Sequence, residues 1–486
     1  MDPSGAMNYN QGDVTLSAPG LHQTKVYHIW AMGVGAVIAG DFFGWQSSLV
    51  GGFLGACISL GLVTVLYLLL SLCIAELASF KPDAGGPYTY VSALLGPNLG
   101  FLSGLCEALK VITVGGVGIY AIGSYMVQIT DTDPSWQPLW WLAFVLFFTL
   151  VNVVGLKFSF HVELAITLIS VTVLVVFYLG AIPKFNFDKW VLGNCDSDDL
   201  SGNSSACPQR WLYPNGLDGL SAGVSFALWF YLGIEEIPMV VGEGSDDSKK
   251  VVVGILSAMA TLTVLSGCTL LFSCAIEPGA YAISTDNSPL LTGYRTIVNH
   301  GNWFEYFSWV IVVGFVASCM SFLLCAGRLL FAMSRDGLLP APLSRLLPKA
   351  DTPYIALITS SVLSYAITAL LYCITGGDDQ VGSALINMAL FGALVSYFLQ
   401  CASHIKLVMK YPNRTCYKSP FGIPGTVVCL FLCLLSYACI IKEGLKSLIF
   451  LYSLIGAILC VLLGMAYHFV KLNVQKRRVE NYDSLN

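Results

Sequence analysis

Long apolar stretches alternate with short polar ones from about residue 26 to residue 470. Twelve of the apolar stretches are long enough, at roughly 18–25 residues or more, to cross the hydrocarbon core of a bilayer. Because lipid offers no hydrogen-bond partners to the backbone, the pattern predicts an all-α polytopic membrane protein. The predicted spans 1 to 12 cover residues 26–50, 53–79, 97–128, 138–156, 162–182, 218–242, 250–276, 303–333, 354–375, 380–405, 422–441 and 448–470.

The composition supports this interpretation. Hydrophobic residues make up 56% of the 486 residues and charged residues only 11%, against about 25% charged in an average soluble domain. A soluble protein of this composition would expose a large apolar surface and associate through it. Lipid covers such a surface in a membrane protein.

The loop charges predict the orientation of the spans. The stretch 1–24 lacks a basic n-region and a small-residue cleavage site, so it is expected to be a cytosolic tail rather than a signal peptide. With the N-terminus inside, sixteen of the 24 Lys and Arg residues fall on the cytosolic side, six fall outside and two fall within spans. This excess predicts that both termini are cytosolic.

The longest outer loop, 183–217, has features of an oxidising extracytoplasmic compartment. Cys195 and Cys207 are candidates for a disulfide, and Asn203-Ser-Ser is a candidate glycosylation site. The alternative is two free thiols and an unused sequon.

No motif of enzymatic, metal or cofactor chemistry stands out. The six histidines are far apart, without the spacing of a metal site. Neither a nucleotide-binding loop nor a Gly-x-Ser-x-Gly elbow is present, and the short cytosolic loops carry no extended basic patch for nucleic acid. We therefore expect no enzyme activity, no cofactor, no metal and no nucleic-acid partner.

Several charged residues lie inside the predicted spans, where each costs about 2.5–3.5 kcal/mol on insertion scales. Such residues usually face a cavity or a partner. Glu107 and Lys110 are three residues apart on one helix face and can neutralise each other, and Arg328 is expected to snorkel to the cytosolic surface. The candidates for such a role are Asp41, Glu107, Lys110, Glu235, Glu236 and Arg328.

Spans 1 and 6 share an unusual pattern. Each has a glycine near its middle and an acid one or two residues later: Gly40 with Asp41, and Gly233 with Glu235. Pro238 removes a helix donor nearby in span 6. Two glycine-interrupted spans in corresponding places indicate an inverted-repeat transporter whose broken helices form a substrate site at mid-membrane. The alternative is that the glycines only permit close helix packing.

Motifs in a fixed order resemble those of the amino acid–polyamine–organocation superfamily of secondary transporters. They are Gly35–Gly44 (GAVIAGDFFG), Ala75–Leu77 (AEL), Pro82–Tyr90 (PDAGGPYTY), Asn152–Lys157 (NVVGLK), Phe230–Glu235 (FYLGIE) and Ser334–Pro340 (SRDGLLP). The resemblance implies a five-plus-five inverted repeat, spans 1–5 against 6–10, with alternating access around spans 1, 3, 6, 8 and 10. The expected division is 1–24 (cytosolic tail), 25–182 (first repeat), 183–217 (extracellular loop), 218–406 (second repeat), 407–471 (cytosolic loop with spans 11 and 12) and 472–486 (cytosolic tail).

Within the superfamily, the segments Gly40–Trp45, Gly104–Glu107 and Gly233–Glu235 look most like the ethanolamine permease branch. Amino acid carriers of the superfamily usually have a small residue where Asp41 stands and receive the substrate carboxylate there. The chain also departs from its relatives. Ser170 stands where several proton-linked relatives have a lysine, and Lys110 is an additional cation.

Asp41 distinguishes the possible substrates. It is expected at the N-terminus of the second half-helix of span 1, where it would repel a substrate carboxylate about 4–5 Å away by roughly 3–4 kcal/mol at an effective dielectric near 20. We therefore expect a small amine, ethanolamine first, whose ammonium pairs with Asp41 and Glu235. An amino acid permease or exchanger stays open if Asp41 is protonated or paired with Lys110. A non-transporting sensor of the same fold is a third alternative.

The predicted site is formed by the two breaks and the nearby acids. Coupling to a proton or to sodium is left open, with Asp41, Glu107, Lys110, Glu235 and Glu236 as candidates. The predicted substrate-binding residues are Ile38, Ala39, Gly40, Asp41, Phe42, Phe43, Glu107, Trp229, Phe230, Tyr231, Leu232, Gly233 and Glu235.

The C-terminal tail ends in Tyr482-Asp-Ser-Leu485, which fits the Tyr-x-x-apolar pattern of eukaryotic sorting signals. Together with the sequon, this predicts the plasma membrane, with an endosomal or lysosomal membrane as the alternative.

Overall fold

A computed structural model describes residues 25–193, 212–213, 215–241, 248–286, 288–298, 303–348, 352–376, 380–414, 417–445 and 447–483. Regular secondary structure within these ranges is entirely helical. The disulfide candidates Cys195 and Cys207, the sequon residue Asn203 and the sorting residue Leu485 lie outside the described residues. The backbone of Tyr482 belongs to the last helix.

The predicted all-α membrane fold is confirmed. Eleven helical stretches of the described chain are long and apolar enough to cross a bilayer, and the shorter segment Val26–Phe42 belongs to span 1. The helices of the unbroken spans, 2 to 5 and 7 to 12, are Gly52–Phe80, Pro97–Thr130, Gln137–Val154, Leu156–Ala181, Ser248–Cys274, Trp303–Arg335, Tyr354–Thr375, Gln380–Lys410, Gly422–Gly444 and Leu448–Asp483.

Span 1 is broken, as predicted, but not where the sequence placed the break. It consists of the helix Val26–Val37, a short helical turn Ala39–Phe42 and the 3₁₀ helix Trp45–Gly51. Gly44 has a φ of 96°, a conformation that favours glycine. Asp41 therefore lies in the turn before the break, and the expectation that it begins the second half-helix is wrong. The second half begins at Trp45, because Gly44 rather than Gly40 reverses the backbone.

Span 6 is also broken, at its predicted glycine. It consists of the helix Gly216–Ala227, the 3₁₀ turns Leu228–Phe230 and Ile234–Glu236, and the helix Ile237–Val241. Gly233 separates the two 3₁₀ turns with a φ of 117°. The breaks expected from glycine, acid and proline spacing are thus present in both spans.

Short helices connect several of the spans. Between spans 2 and 3 the helix Pro87–Leu95 begins with proline in its first turn, and it packs against spans 3 and 10. Asp83 supports the turn before this helix by accepting a hydrogen bond from Gly85 N at 2.8 Å. The other short helical elements are Pro134–Trp136, Ile182–Lys184, Phe187–Trp190, Ala280–Ile283, Pro289–Val298 and Ala341–Ser344.

The spans divide into an inner and an outer group. In the most apolar window of each span, 94% of the residues of span 8 are buried but only 17% of those of span 12. Span 3 packs against spans 8, 9 and 10, which places it in the interior. Lipid-facing spans are thus separated from those that can surround a polar site.

Arg328 corrects one sequence-based expectation. Its side chain is 7% exposed and does not snorkel to the surface. Its Nε donates to the carbonyl of Met239 at 2.6 Å. The short final helix of span 6 leaves this carbonyl accessible, and the arginine satisfies it inside the protein.

Candidate substrate and coupling site

The glycines of the span 1 break lie against the broken part of span 6, and the glycine of the span 6 break lies against span 8. A Cβ atom on Gly40 would lie 2.6 Å from the carbonyl oxygen of Trp229. A Cβ atom on Gly44 would lie 2.8 Å from the indole of the same tryptophan, and one on Gly233 would lie 2.5 Å from the ring of Phe322. The glycines therefore both break the helices and permit close packing, so the two sequence interpretations are not exclusive.

A cavity adjoins the two breaks and is closed by spans 3 and 8. The lining is mostly apolar, and the hydroxyl of Ser318 is its main side-chain polar group. This hydroxyl accepts from Ala39 N at 3.2 Å and donates to the carbonyl of Gly35 at 2.8 Å. Predicted site residues in the lining are Ala39, Gly40, Phe43, Trp229 and Leu232; further lining residues include Val114, Val117, Gly118, Phe315, Ser318 and Phe322.

Asp41 is buried beside this cavity but does not line it. Its Oδ1 accepts from the hydroxyl of Thr269 in span 7 at 2.9 Å, and Thr269 also bonds to the hydroxyl of Tyr178 at 2.7 Å. Its Oδ2 has no hydrogen-bond partner among the described residues. One oxygen of the carboxylate therefore has no described hydrogen-bond partner. Asp41 directly follows Gly40, which lines the cavity.

Lys110 lies at the centre of a separate charged cluster. Its Nζ contacts Oε1 of Glu107 directly, and it is 2.6 Å from Oε1 of both Glu235 and Glu236. The hydroxyl of Tyr397 in span 10 donates to Glu235, whose Oε2 accepts from Gly233 N at 3.1 Å. The predicted pairing of Glu107 with Lys110 is therefore present.

One ammonium group thus faces three carboxylates, all buried. Glu107, Glu235 and Glu236 are grouped closely enough to share a metal ion, but the Lys110 ammonium already contacts all three. Lys110 pairs with this cluster and not with Asp41, and the described ion pairs of Glu235 also belong to this cluster. The structure therefore places the two acids of the sequence hypothesis, Asp41 and Glu235, in different networks.

Two buried acids were missed in the sequence. Glu76 of span 2 accepts hydrogen bonds from His404 at 2.8 Å, from Ser419 N at 2.7 Å and from Arg414. These bonds connect span 2 to span 10 and to the segment between spans 10 and 11. Glu163 of span 5 lies against span 1. Both stand near the ends of the predicted spans, 53–79 and 162–182. In the structure the helix of Glu163 begins seven residues earlier, at Leu156, so this acid does not stand at the helix end.

We expect Gly40→Ala to destabilise the protein, because its methyl group meets the Trp229 carbonyl at 2.6 Å, where backbone cannot move aside cheaply. Overpacking of this kind costs roughly 1–3 kcal/mol. The midpoint temperature of thermal unfolding in detergent and the rate of substrate uptake should both fall. Gly61→Ala in span 2 is the matched control, since nothing lies within 4 Å of the position that its new methyl group would take. Equal effects of the two substitutions would contradict the contact between the breaks.

Comparison with known proteins identifies the family. The family model described as amino acid permease matches residues 25–467, which is most of the chain. The chain belongs to the amino acid permease family. This membership confirms the superfamily resemblance, and it makes the protein a transporter of amino acids or amines embedded in a membrane.

Individual relatives are distant but cover most of the chain. The chain is similar to an uncharacterized transporter of Rhizobium meliloti (strain 1021), at 25% identity over 84% of each chain. It is similar to a branched-chain amino acid permease of Bacillus subtilis (strain 168), at 25% identity over 84% of this chain and 86% of the relative. A gamma-aminobutyric acid permease of the same organism is 24% identical over 80% of each chain.

Proposed function

We propose that this permease carries a small amine that lacks a carboxylate, ethanolamine first, by alternating access around the two breaks. The observation that supports the proposal is the environment of Asp41. Its carboxylate is 1% exposed, has an uncommitted oxygen and forms no ion pair with a described residue. A buried carboxylate without a cation favours the binding of one.

The position of Asp41 supports a discrimination against amino acids. Gly40 lines the cavity and Asp41 directly follows it in the chain. The charge of the Asp41 carboxylate therefore acts on a substrate that occupies the cavity. A substrate carboxylate about 4–5 Å away would be repelled by roughly 3–4 kcal/mol at an effective dielectric near 20. That energy corresponds to a loss of about two orders of magnitude in affinity or more. An ammonium group at the same place is attracted.

The cavity walls suit a small organic cation. Trp229, Phe43 and Phe315 line it, and aromatic faces attract cations while excluding water. The carbonyl of Ala39, a predicted site residue that lines the cavity, accepts a backbone hydrogen bond from Phe43 N. A carbonyl oxygen has two lone pairs, so it can accept a further hydrogen bond from the substrate ammonium.

An amino acid substrate is the second candidate. The names of the relatives favour it, since one is a branched-chain amino acid permease and another a gamma-aminobutyric acid permease. In that case the Ala39 amide and the Ser318 hydroxyl, which bond to Ser318 and to the Gly35 carbonyl respectively, would have to release these bonds to donate to the carboxylate. The charge of Asp41 would then have to be neutralised by a proton.

Uptake by the reconstituted protein tests the proposal. Proteoliposomes would be given radiolabelled ethanolamine, alanine and leucine in parallel, with empty liposomes as the control. We expect ethanolamine to accumulate at least about tenfold faster than either amino acid, given the electrostatic preference. Accumulation of alanine or leucine, with ethanolamine at the level of empty liposomes, would contradict the proposed substrate. Retained binding without any flux would indicate a sensor.

The orientation and the membrane also belong to the proposal. The excess of sixteen basic residues over six supports cytosolic termini, and the Tyr482 pattern supports a location at the plasma membrane.

A further inference from the structure

Four buried thiols lie together between spans 2, 10 and 11. Cys401 of span 10 donates a hydrogen bond to Cys429 of span 11, with the two sulfur atoms 3.6 Å apart. Cys73 of span 2 is hydrogen-bonded to Cys401, and Cys433 of span 11 is hydrogen-bonded to Cys429. Each of the four residues is at most 2% exposed. Neither the cavity nor the charged cluster around Lys110 includes any of them.

The contacts between these thiols distinguish them from a single buried cysteine. Packing explains a lone buried thiol, because cysteine behaves as a small apolar residue. Packing alone does not require that thiols from three different helices meet at one place. Two thiols in contact are the arrangement from which a disulfide forms when an oxidant removes two electrons.

The positions of Cys401 and Cys429 suit a disulfide between two spans. A disulfide bond is about 2.05 Å long, so sulfur atoms that are 3.6 Å apart have to approach each other by about 1.5 Å. The helices of spans 10 and 11 pack directly against each other. Rotation of the two side chains can therefore supply this approach without separating or shifting the helices.

The arrangement suits disulfide chemistry better than metal binding. A structural metal ion would need three or four ligand atoms around one point. The thiols form a row instead, with Cys401 between Cys73 and Cys429. Among the described residues, the carboxylates of the charged cluster are the only potential ligands grouped closely enough in threes to hold an ion.

A polar network connects the thiols to the segment between spans 10 and 11. Cys73 is hydrogen-bonded to the hydroxyl of Thr426 at 3.4 Å, and Thr426 is hydrogen-bonded to His404 at 2.8 Å. His404 bonds to Glu76, which pairs with Arg414 of that segment. A small polar oxidant such as hydrogen peroxide thus has hydrogen-bonding groups along a path to the thiols.

Span 10 contacts the charged cluster one turn away from Cys401. The hydroxyl of Tyr397 donates to Glu235 of the broken span 6. The same hydroxyl is hydrogen-bonded to that of Tyr67 in span 2 at 3.3 Å. Cys401 follows Tyr397 by four residues and lies on the same helix face. A covalent bond at Cys401 would therefore restrain span 10 next to its contact with the substrate region.

We propose that Cys401 and Cys429 are a reversible oxidation site, at which a peroxide forms a disulfide that fixes span 10 to span 11 and slows transport. One thiol sulfur attacks an oxygen of hydrogen peroxide, the O–O bond breaks, and a sulfenic acid forms while the other oxygen leaves as water with the thiol proton. The second thiol attacks the sulfenic sulfur, the S–O bond breaks, and the hydroxyl leaves as a second water with the second thiol proton. The two sulfur atoms together lose two electrons, and the peroxide is reduced to two waters. A dithiol reverses the bond by thiol–disulfide exchange.

Peptide mapping of the full-length protein in detergent tests the site without any substrate. The protein is treated with hydrogen peroxide, the remaining thiols are alkylated, and the digested peptides are analysed by mass spectrometry. We expect a linked pair of peptides that contains Cys401 and Cys429 and that disappears after treatment with dithiothreitol. Cys401→Ser and, independently, Cys429→Ser should lack this pair. Cys433→Ser is the matched control, because it removes a buried thiol one turn from Cys429 on the same helix and should retain the link.

Uptake in proteoliposomes tests the consequence for transport. Because conformational steps commonly limit such cycles, we expect peroxide to lower ethanolamine uptake at least about fivefold in the unaltered protein and in Cys433→Ser, but less than about twofold in Cys401→Ser. Dithiothreitol should restore the uptake.

Complete alkylation of Cys401 and Cys429 after peroxide treatment would overturn the proposal, as would a link between Cys73 and Cys401 in its place. Undiminished uptake by the fully linked protein would also overturn it. The inference does not rest on the identity of the substrate. Absence of ethanolamine uptake before oxidation, with the link formed, would therefore contradict only the proposed substrate.

Discussion

Replacing Lys110 by methionine is expected to destabilise the protein more than any other single substitution in the site. The ammonium of Lys110 contacts Glu107, Glu235 and Glu236, all three buried. Removing one partner of a buried ion pair typically costs about 3–5 kcal/mol, because the remaining charge is left uncompensated. Thermal unfolding in detergent at neutral pH should show a large decrease in the midpoint temperature.

A second substitution separates charge from packing in this experiment. Lys110→Met combined with Glu235→Gln lowers the number of uncompensated carboxylates, so it should recover part of the stability lost in the single variant. Non-additivity of this kind is expected of residues in one network. An unfolding midpoint of Lys110→Met equal to that of the unaltered protein would show that the cluster does not depend on the lysine.

Asp41→Asn is expected to reduce ethanolamine uptake at least about tenfold, which corresponds to a loss of about 1.4 kcal/mol or more of attraction for the ammonium. Asparagine has nearly the same shape and can still accept the hydrogen bond from Thr269. The change therefore removes the negative charge beside the cavity with little change in packing. Initial rates of labelled ethanolamine uptake would measure the effect.

Thr269→Val is the matched control for Asp41→Asn. It removes the hydroxyl that donates to Oδ1 of Asp41 at 2.9 Å but keeps the carboxylate. We expect a smaller loss of uptake than in Asp41→Asn, since the charge remains. Undiminished ethanolamine uptake in Asp41→Asn would remove this residue from the substrate site.

The sequence predicted those features of the fold that depend on local composition. Span lengths follow from runs of apolar residues, and the helix Tyr354–Thr375 has the predicted bounds. The breaks follow from glycines followed by acids. Their exact place was harder to predict, because Gly40 and Gly44 serve different purposes: one permits contact with Trp229 and the other reverses the backbone.

The grouping of charges depends on contacts between distant segments, which a single sequence does not encode locally. Lys110 and Glu235 are 125 residues apart, and Tyr397 and Glu235 are 162 apart. The direction of Asp41 was also unpredictable, because helical periodicity is lost at a break and the side chain can face either the cavity or span 7. Arg328 was expected to reach water but satisfies a carbonyl of the neighbouring broken span instead.

In the proposed site, Asp41 makes the binding of a substrate carboxylate unfavourable. Ethanolamine and serine form a matched pair, since they differ only by one carboxylate group. The decisive measurement is the ratio of their affinities in competition against labelled ethanolamine, for the unaltered protein and for Asp41→Asn. We expect the unaltered protein to prefer ethanolamine by about two orders of magnitude, from the repulsion at a dielectric near 20, and Asp41→Asn to lose most of this preference. Serine binding as tightly as ethanolamine in the unaltered protein would contradict this role of Asp41.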